Sequence, residues 1–334
     1  MQIYLAVIYF LKVLLRQFRK NFKLIPSVPF HTLIKFNTYF NSDEAPEVLY
    51  LGDSVVERIA DQDTDRRSLG QMVIDEIAPN LNGAVISFSA YHISVYHAFL
   101  KSLEVTKKQP KIVILPVNIR AFSPQWDLQP RWQYKEELQA LEVYRKSSSK
   151  VIKQLFDDRY FVPKYLQNKY RKITVNYPLS SFSTIGQFLD IIESRPKNEN
   201  AQHFRKKQIF IFNYAHPLVT EHRKLIEITK TLNFLFNLGI KVFVYITPIN
   251  IDAGVKYVGE KFKNQILSNI QTLENVLLPY ERNNSFVYSN WCLEFPSETF
   301  FYNDLATEHL NQNGRLKLSK LILQEVNMLL AKGK

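Results

Sequence analysis

The sequence predicts an α/β fold built on a parallel sheet that is covered on both faces. Short apolar runs alternate with stretches of helical spacing along most of the 334 residues, which favours β-α-β units. The run KIVILPV, at Lys111–Val117, is continuously apolar, as is typical of a strand buried on both faces. Polar residues suited to chemistry follow the predicted strands, where α/β sheets carry their sites.

Each element rests on its own local pattern. Helical spacing of apolar residues, with Gly239 as a C-cap signal, predicts the main helices, at Ser68–Ile77, Val95–Leu103, Pro217–Leu238, Lys261–Leu278 and Arg315–Leu330. Short apolar runs predict the strands, at Val48–Leu51, Ala84–Phe88, Lys111–Val117, Ile240–Thr247 and Ser285–Tyr288. Regular order is expected to return at Gln208–Phe212 after a polar, aromatic-rich stretch.

The composition predicts three successive parts, with an insertion in the third. Residues 1–23 are expected to form an apolar and basic, membrane-associating helix, and residues 24–46 a connector with prolines and an Asn-Ser-Asp-Glu-Ala-Pro cluster. Residues 47–330 form the catalytic domain. Within that domain, residues 123–207 are expected to be a mostly helical insertion that caps the site.

The N-terminal segment points to a membrane. Ile3–Leu15 is almost entirely apolar but too short for an upright span, and basic residues come after it at helical spacing. Three interpretations stay open: a helix lying in the membrane interface, a short or tilted span whose basic side chains snorkel, and a helix packed on the domain. If the segment spans, the positive charge after it favours a cytoplasmic location for the rest of the chain, and the sidedness is left open.

Composition limits the classes of partner. The net charge of +12 is spread over the chain, so it indicates either anionic partners or a lysine-rich solvated surface. No motif of nucleic-acid recognition is present, so no nucleic-acid partner is expected. The single cysteine, Cys292, excludes an internal disulfide. His92 and His97 lack companions that would complete a ligand set, so no metal and no cofactor are predicted.

Two segments far apart in the chain carry the candidate chemistry. Gly52-Asp53-Ser54 comes after an apolar run and is expected to form a strand, a tight turn and a helix start. His309 lies just before the last predicted helix. A serine hydroxyl needs a base within hydrogen-bond reach, and an imidazole is suited to that role. The alternatives are an N-cap serine and a histidine that packs at a helix start.

These motifs, with Asn118 after a later strand, resemble the SGNH/GDSL hydrolase family. The resemblance covers about residues 47–120 and 208–330. It implies a three-layer α/β/α, flavodoxin-like fold and a Ser-His-Asp triad with Ser54 as nucleophile and His309 as base. It also implies an oxyanion hole formed by Asn118, the Ser54 backbone N–H and a backbone donor after the second strand.

The sequence departs from the family pattern at two places. The family has a glycine after the second strand, and this chain has Ser89 and Ala90, either of which is a candidate donor. The family places an aspartate three residues before the histidine, and this chain has Ala306 there. Asp304 is favoured as the triad acid, with Glu308 as the alternative.

The predicted activity is serine-dependent acyl-ester chemistry. The acyl-ester substrate is expected on a cell-surface polysaccharide or glycan, either for hydrolysis or for transfer to a glycan acceptor. Arg120 and Trp126 are candidate substrate-binding residues, and a structural ion pair is the equal alternative for Arg120. The resemblance implies a membrane-bound O-acyltransferase as a partner. Rival interpretations are a lipid esterase and a non-catalytic binding or assembly protein that keeps the fold.

Overall fold

The computed structural model describes Phe36, Tyr39 and residues 45–77, 81–106, 109–147 and 164–332. The predicted membrane-associated helix at residues 1–23 lies outside these residues. No helix in the described ranges is both long and apolar enough to cross a bilayer. Phe36 and Tyr39, in the predicted connector, are buried, and both pack their rings on Phe99.

The core of the fold is a five-stranded parallel sheet in the order β2-β1-β3-β4-β5. Its strands are β1 (Val48–Gly52), β2 (Gly83–Ser87), β3 (Ile112–Val117), β4 (Lys241–Ile246) and β5 (Phe286–Asn290). This is the flavodoxin-like order, with a reversal of strand order between β1 and β3. All five predicted strands are confirmed, with shifts of one or two residues at their ends.

Twelve α-helices are described. They are α1 (Ser54–Glu57), α2 (Leu69–Ile77), α3 (Ile93–Thr106), α4 (Pro124–Asp127), α5 (Lys135–Ser147), α6 (Lys164–Arg171), α7 (Ile185–Glu193), α8 (Glu199–Tyr214), α9 (Arg223–Asn237), α10 (Ile251–Val258), α11 (Glu260–Leu277) and α12 (Gln312–Ala331). Gln208–Phe212, where the sequence predicts that regular order returns, lies inside α8, and three helices, α5 to α7, already precede it. The helix predicted from Pro217 begins only at Arg223.

Alternating strand residues build two cores, one on each face of the sheet. Leu49 and Leu51 of β1 point into a large cluster shared with α3, α9 and α11. Val48 and Tyr50 point into a smaller cluster shared with α2 and α12. The strands are therefore sandwiched between two helical layers, and the predicted three-layer architecture is confirmed.

The predicted insertion at residues 123–207 is helical where it is described. It contains α4 to α7 and the beginning of α8. Ring stacking joins α7 to α8, with the centroids of Phe188 and Phe212 3.7 Å apart. The ring of Phe210 also stacks on Tyr257 of α10, so α8 ties the insertion to the main domain.

The turn after β1 requires glycine at position 52. A Cβ on Gly52 would lie 2.5 Å from Cβ and Cγ2 of Val56, inside the first turn of α1. We expect Gly52→Ala to lower the free energy of unfolding by about 1–3 kcal/mol, as overpacking does in other cores. Urea denaturation followed by circular dichroism measures this loss.

Gly239 supplies the matched control. Its φ is +72°, and no heavy atom lies within 4 Å of a Cβ placed there. Asparagine tolerates this backbone region, so Gly239→Asn is expected to destabilise the protein by about 1 kcal/mol or less. Equal losses in the two variants would contradict the steric explanation for Gly52.

Candidate active site

The carboxyl ends of β1 and β3 converge at the reversal of strand order. Asp53 and Ser54 follow β1 directly, and Asn118 follows β3. The Asn118 Nδ2 amide donates to Asp53 Oδ2 at 3.0 Å, so a buried hydrogen bond joins the two strand ends. This is the edge at which doubly wound sheets bind ligands.

Ser54 is held in place by the start of α1. Asp53 is the N-cap of α1, and its Oδ1 accepts from the Val55 backbone N–H at 2.8 Å. Ser54 is the first residue of the helix and is buried. The N-cap role that the sequence left open for Ser54 therefore belongs to Asp53, and the Ser54 hydroxyl is left for another partner.

That partner is His309. His309 Nε2 lies 2.9 Å from Ser54 Oγ, across a separation of 255 residues. The backbone of His309 is held on both sides, because its N–H donates to Thr307 Oγ1 at 3.0 Å and its carbonyl accepts from the Phe301 N–H at 2.9 Å. The structure thus brings together the two residues that the sequence proposed as nucleophile and base.

The imidazole of His309 is kept neutral near neutral pH. Burial lowers its pKa below the usual value, and the charges of Arg58 and Arg120 act in the same direction, whereas the charge of Glu308 opposes them. A neutral ring that accepts the Ser54 proton at Nε2 carries its own proton at Nδ1. Thr307 Oγ1 lies 3.4 Å from Nδ1 and is the hydrogen-bond partner found there.

Asp304, the favoured triad acid, does not contact His309. Its carboxylate accepts from Tyr257 at 2.7 Å and from Lys256 at 2.9 Å, and it also pairs with Lys206. Although partial burial acts in the opposite direction, these donors hold its pKa well below the usual range. The prediction that Asp304 orients the imidazole does not match this geometry, because two lysines and a tyrosine occupy the carboxylate.

Glu308, the alternative acid, is adjacent to His309 in the chain but bonded elsewhere. Both of its oxygens accept from Arg120 Nη1, at 3.0 and 2.9 Å, and Oε2 also accepts from the Tyr214 hydroxyl at 2.6 Å. Burial alone would raise the pKa of Glu308, but the charges of Arg120 and His309 and the Tyr214 bond lower it to about 2. Glu308 therefore acts on His309 through its charge and not through a hydrogen bond to the ring.

Asn118 and Asp53 form a buried polar pair beside Ser54. Besides the bond to Asp53, Asn118 Oδ1 accepts from the Arg120 backbone N–H at 3.0 Å and caps the 3₁₀ turn Ile119–Phe122. Burial, and then the charge of Glu308, raise the pKa of Asp53 to about 6. Of the two amide protons of Asn118, one is thus bonded to Asp53, and the second has no partner among the described residues and can serve a ligand.

Ala90 takes the position where the family pattern has glycine. Its φ is +60°, in the left-handed region that glycine adopts freely, and it lines the pocket next to Ser54. The backbone N–H groups of Ala90 and Ser54 make no hydrogen bond to other described residues. The Ser89 carbonyl, which belongs to the same peptide group as the Ala90 N–H, accepts from the Tyr134 hydroxyl and so fixes the direction of that N–H. Of the two candidate donors, Ala90 lines the pocket and Ser89 does not.

Arg120 and Trp126 line the same pocket, as the sequence suggested. The Arg120 guanidinium lies 4.6 Å from the centroid of the Trp126 ring. Its charge is already paired with Glu308, so the ion-pair interpretation of Arg120 holds in this structure. The substrate-binding role of these residues stays a prediction.

Three residues that contact or line the site could not be identified from the sequence. Tyr214 and Lys224 lie within helices whose patterns show only apolar spacing. The ammonium of Lys224 is buried beside Asp127 and donates to the Ala121 carbonyl, and burial lowers its pKa to about 8 even though Asp127 opposes the shift. Thr307 precedes His309 by two residues, and this closeness in the chain is the one feature of the sequence that points to a contact between them.

The two histidines judged structural have protein partners. His92 Nε2 lies 3.1 Å from the Trp132 carbonyl, and Nδ1 accepts from the Ser94 N–H. His97 Nδ1 lies 3.0 Å from Thr231 Oγ1. Over the described ranges, no group of three or more His, Cys, Asp or Glu side chains is arranged to hold a metal ion.

Comparisons with known proteins give distant structural similarities. No family model matches the sequence, and no curated protein matches it. A catalytic mutant of an acetylxylan esterase from Geobacillus stearothermophilus matches with a TM-score of 0.43 and 11% identity, over 85% of this chain and 95% of that one. Another mutant of the same enzyme, an acetyl-xylooligosaccharide esterase, matches with a TM-score of 0.40 and 12% identity, over 85% and 95%. Identities this low leave the activity to be inferred from the site itself.

The buried Arg120–Glu308 pair makes a stability prediction. Arg120→Ala leaves a buried carboxylate without its cation, so we expect a loss of about 3–5 kcal/mol in the free energy of unfolding at pH 7. Glu308 stabilises the fold above its unfolded pKa of 4.5, and this contribution is lost as pH falls towards about 2. The deficit of the variant should therefore shrink below pH 4.5. Urea denaturation at several pH values measures it.

Arg145 provides the control for that experiment. It pairs with Glu142 on the surface of α5, at 2.9 Å, with both side chains at least a third exposed. Arg145→Ala is expected to change the free energy of unfolding by about 0–1 kcal/mol. A similar, pH-independent loss in both variants would show that Arg120 contributes packing and not charge.

Proposed function

We propose that this protein is a serine-dependent enzyme of acyl-ester chemistry, an esterase or an O-acyltransferase. The observation that carries the proposal is the 2.9 Å contact between Ser54 Oγ and His309 Nε2. The contact is partly buried, and burial keeps the imidazole unprotonated and able to accept a proton. A serine whose proton has an acceptor is the requirement for nucleophilic attack on an ester.

In the proposed reaction, Ser54 Oγ attacks the ester carbonyl while its proton moves to His309 Nε2. The carbonyl oxygen becomes an anion in the tetrahedral intermediate. When the C–O bond to the alcohol breaks, His309 returns the proton to the departing alcohol oxygen, and an acyl group remains on Ser54. A water or a sugar hydroxyl then attacks the acyl-enzyme, with the same histidine taking and returning a proton.

The anion of the intermediate is assigned to three donors. The Ser54 N–H opens a helix, where the helix dipole favours negative charge. The Ala90 N–H and the second amide proton of Asn118 border the same pocket, which also contains Ser54. Hydrogen-bond donors that are fixed in place before the reaction make the largest single contribution to the rate enhancement of many acyl-transfer enzymes.

His309 acts in this proposal without a carboxylate bonded to its ring. Thr307 orients the imidazole through the backbone and through Nδ1, and the buried Glu308 charge favours the imidazolium formed during the reaction. The expected consequence is weaker activation of Ser54 than in a Ser-His-Asp triad, in which the carboxylate both holds and stabilises the ring.

The substrate is assigned to O-acyl groups of a glycan, with a cell-surface polysaccharide as the first choice. The resemblance of the motifs to the SGNH/GDSL family supports this choice, and transfer to a glycan acceptor is included in it. Membrane association through residues 1–23, and a membrane-bound O-acyltransferase as partner, are part of the same proposal. They rest on the apolar and basic pattern of those residues and on the family resemblance.

A fluorophosphonate probe tests the proposal, because it bonds to an activated serine. We expect labelling of the wild type and none in Ser54→Ala. His309→Gln should slow labelling by about 10²–10⁴-fold, the usual contribution of a general base. Asp304→Asn should stay within about threefold of wild type, since no bond joins Asp304 to the imidazole. Labelling rates are measured by mass spectrometry.

Two results would go against these assignments. A folded wild type that is not labelled would favour the non-catalytic binding or assembly protein. A loss in Asp304→Asn as large as that in His309→Gln would return Asp304 to the triad, after a movement of the loop that carries it.

The pH dependence of labelling tests which group acts as the base. Because the pKa of His309 is lowered, the neutral ring predominates at neutral pH and is lost only as pH falls through a value below 6.5. We expect the labelling rate to be constant above pH 7 and to fall in mildly acidic solution. Asp53, with a pKa of about 6, titrates nearby, and Asp53→Asn separates the two, since asparagine also caps helices well. If the acid limb vanishes in Asp53→Asn, His309 is not its source.

A further inference from the structure

We infer that the cleft beside His309 binds the sugar chain from which the acyl group is removed or to which it is added, and that this chain is an uncharged glycan. The inference rests on the proposed function, because the proposed reaction decides where the departing alcohol lies. The proposed binding site itself is a surface that takes no part in the acyl-ester chemistry.

The two sides of Ser54 differ in their surroundings. On one side lies the pocket with Ala90, Asn118 and Trp126, which holds the oxyanion donors and faces the acyl group. The imidazole of His309 contacts Ser54 Oγ but does not line that pocket. Because the histidine protonates the departing alcohol, that alcohol lies on the His309 side. A binding site for the alcohol portion must therefore continue from His309.

A cleft of about 410 Å³ adjoins Phe301, the ring neighbour of His309; we call it the His309-side cleft. It is lined mainly by residues 298–305, with Gln62, Lys206 and Asn311. Its link to the site is Phe301, whose ring centroid lies 5.6 Å from that of His309 and whose N–H bonds to the His309 carbonyl. The cleft thus begins beside a residue that contacts the base.

Tyr302 forms a platform in this cleft. Its side chain is 61% exposed, which is unusual for a large ring. Its backbone is fixed, since the buried Asn250 amide donates to the carbonyls of Tyr302 and Leu305, both at 3.3 Å. A rigid backbone that presents an exposed aromatic ring suits the flat apolar face of a sugar, which gains contact area at little cost in conformational entropy.

The polar groups of the cleft fit sugar hydroxyls. Gln62 and Asn303 are exposed, and their amides make no hydrogen bond to other described residues. Each amide has two N–H donors and one oxygen acceptor, so it can both donate to and accept from a sugar hydroxyl. A lipid would need an apolar lining instead, so the cleft argues against the lipid-esterase alternative.

The charges of the cleft do not favour an acidic sugar. Its lining contains one cation, Lys206, and two anions, Asp304 and Glu298, so the lining carries a net charge of −1. Asp304 is also paired with Lys256, which lies outside the lining, and no cation of the cleft is left over for a sugar carboxylate. This explains the place of Asp304: it joins the loop of residues 300–305 to α8 and α10 and shapes the cleft, and it does not act on the imidazole.

Calorimetry of the full chain with xylohexaose, cellohexaose and hexagalacturonate tests the inference without requiring turnover. We expect the wild type to bind at least one neutral hexaose, and to bind it more tightly than hexagalacturonate. Tyr302→Ala should weaken binding by about tenfold, as the loss of one stacked ring does, whereas Tyr302→Phe keeps the ring and should stay within about threefold. Tyr165→Ala is the matched control, because Tyr165 is 63% exposed on α6 and does not line the cleft.

A second measurement compares two substrates. For acetylated hexaoses, Tyr302→Ala should lower kcat/KM by about tenfold. For p-nitrophenyl acetate, which has no sugar chain to stack on Tyr302, it should lower kcat/KM by less than about twofold. The inference is overturned if neither neutral hexaose binds, if hexagalacturonate binds more tightly, or if Tyr302→Ala behaves like Tyr165→Ala. Failure of the proposed function would appear differently, as absent Ser54 labelling with sugar binding intact.

Discussion

The site depends on the buried ion pair between Arg120 and Glu308. Arg120 follows β3 closely and Glu308 directly precedes His309, so the pair fastens the loop carrying the imidazole to the edge of the sheet that carries Ser54. Tyr214 adds a third segment through its bond to the same carboxylate. A buried ion pair adds little net stability to a fold. It can, however, favour a single packing of the segments that carry it, because any other packing leaves a buried charge without a partner. In this fold we infer that it serves to set the position of His309.

A second buried bond sets the position of the serine. Asn118 joins Asp53 at the ends of the adjacent strands β1 and β3, and Asp53 in turn begins the helix that contains Ser54. The pairing of β1 with β3, the Asp53 cap and the Arg120–Glu308 ion pair thus position the site together. Each is local, yet together they bring a hydroxyl and an imidazole from opposite ends of the domain to hydrogen-bond distance.

The sheet and the Ser54–His309 contact could be predicted from the sequence because their signals are local. Apolar runs such as Lys111–Val117 indicate buried strands, and a serine after the first strand and a histidine before the last helix belong to the same sheet edge in this topology.

The helix start at Arg223 was missed, since the apolar spacing before it continues through a loop. The orientation of the acids and the buried partners Tyr214 and Lys224 could not be predicted, because they depend on long-range pairing. Asp304 is as close to His309 in sequence as a triad acid needs to be, but Lys206 and Lys256, from two other helices, bind its carboxylate. Neither residue type nor spacing shows which of several cations lies nearest, since that is decided by the packing of helices that are distant in the chain.

Ala90 has a consequence for the stiffness of the site. A methyl group in the left-handed region costs roughly 1 kcal/mol compared with glycine. A flip of the peptide between Ser89 and Ala90 would relieve this cost, because it would carry the φ of Ala90 to negative values. The Tyr134 hydroxyl opposes that flip, since it donates to the Ser89 carbonyl of the same peptide group. The Ala90 N–H therefore keeps one direction whether or not the pocket is filled.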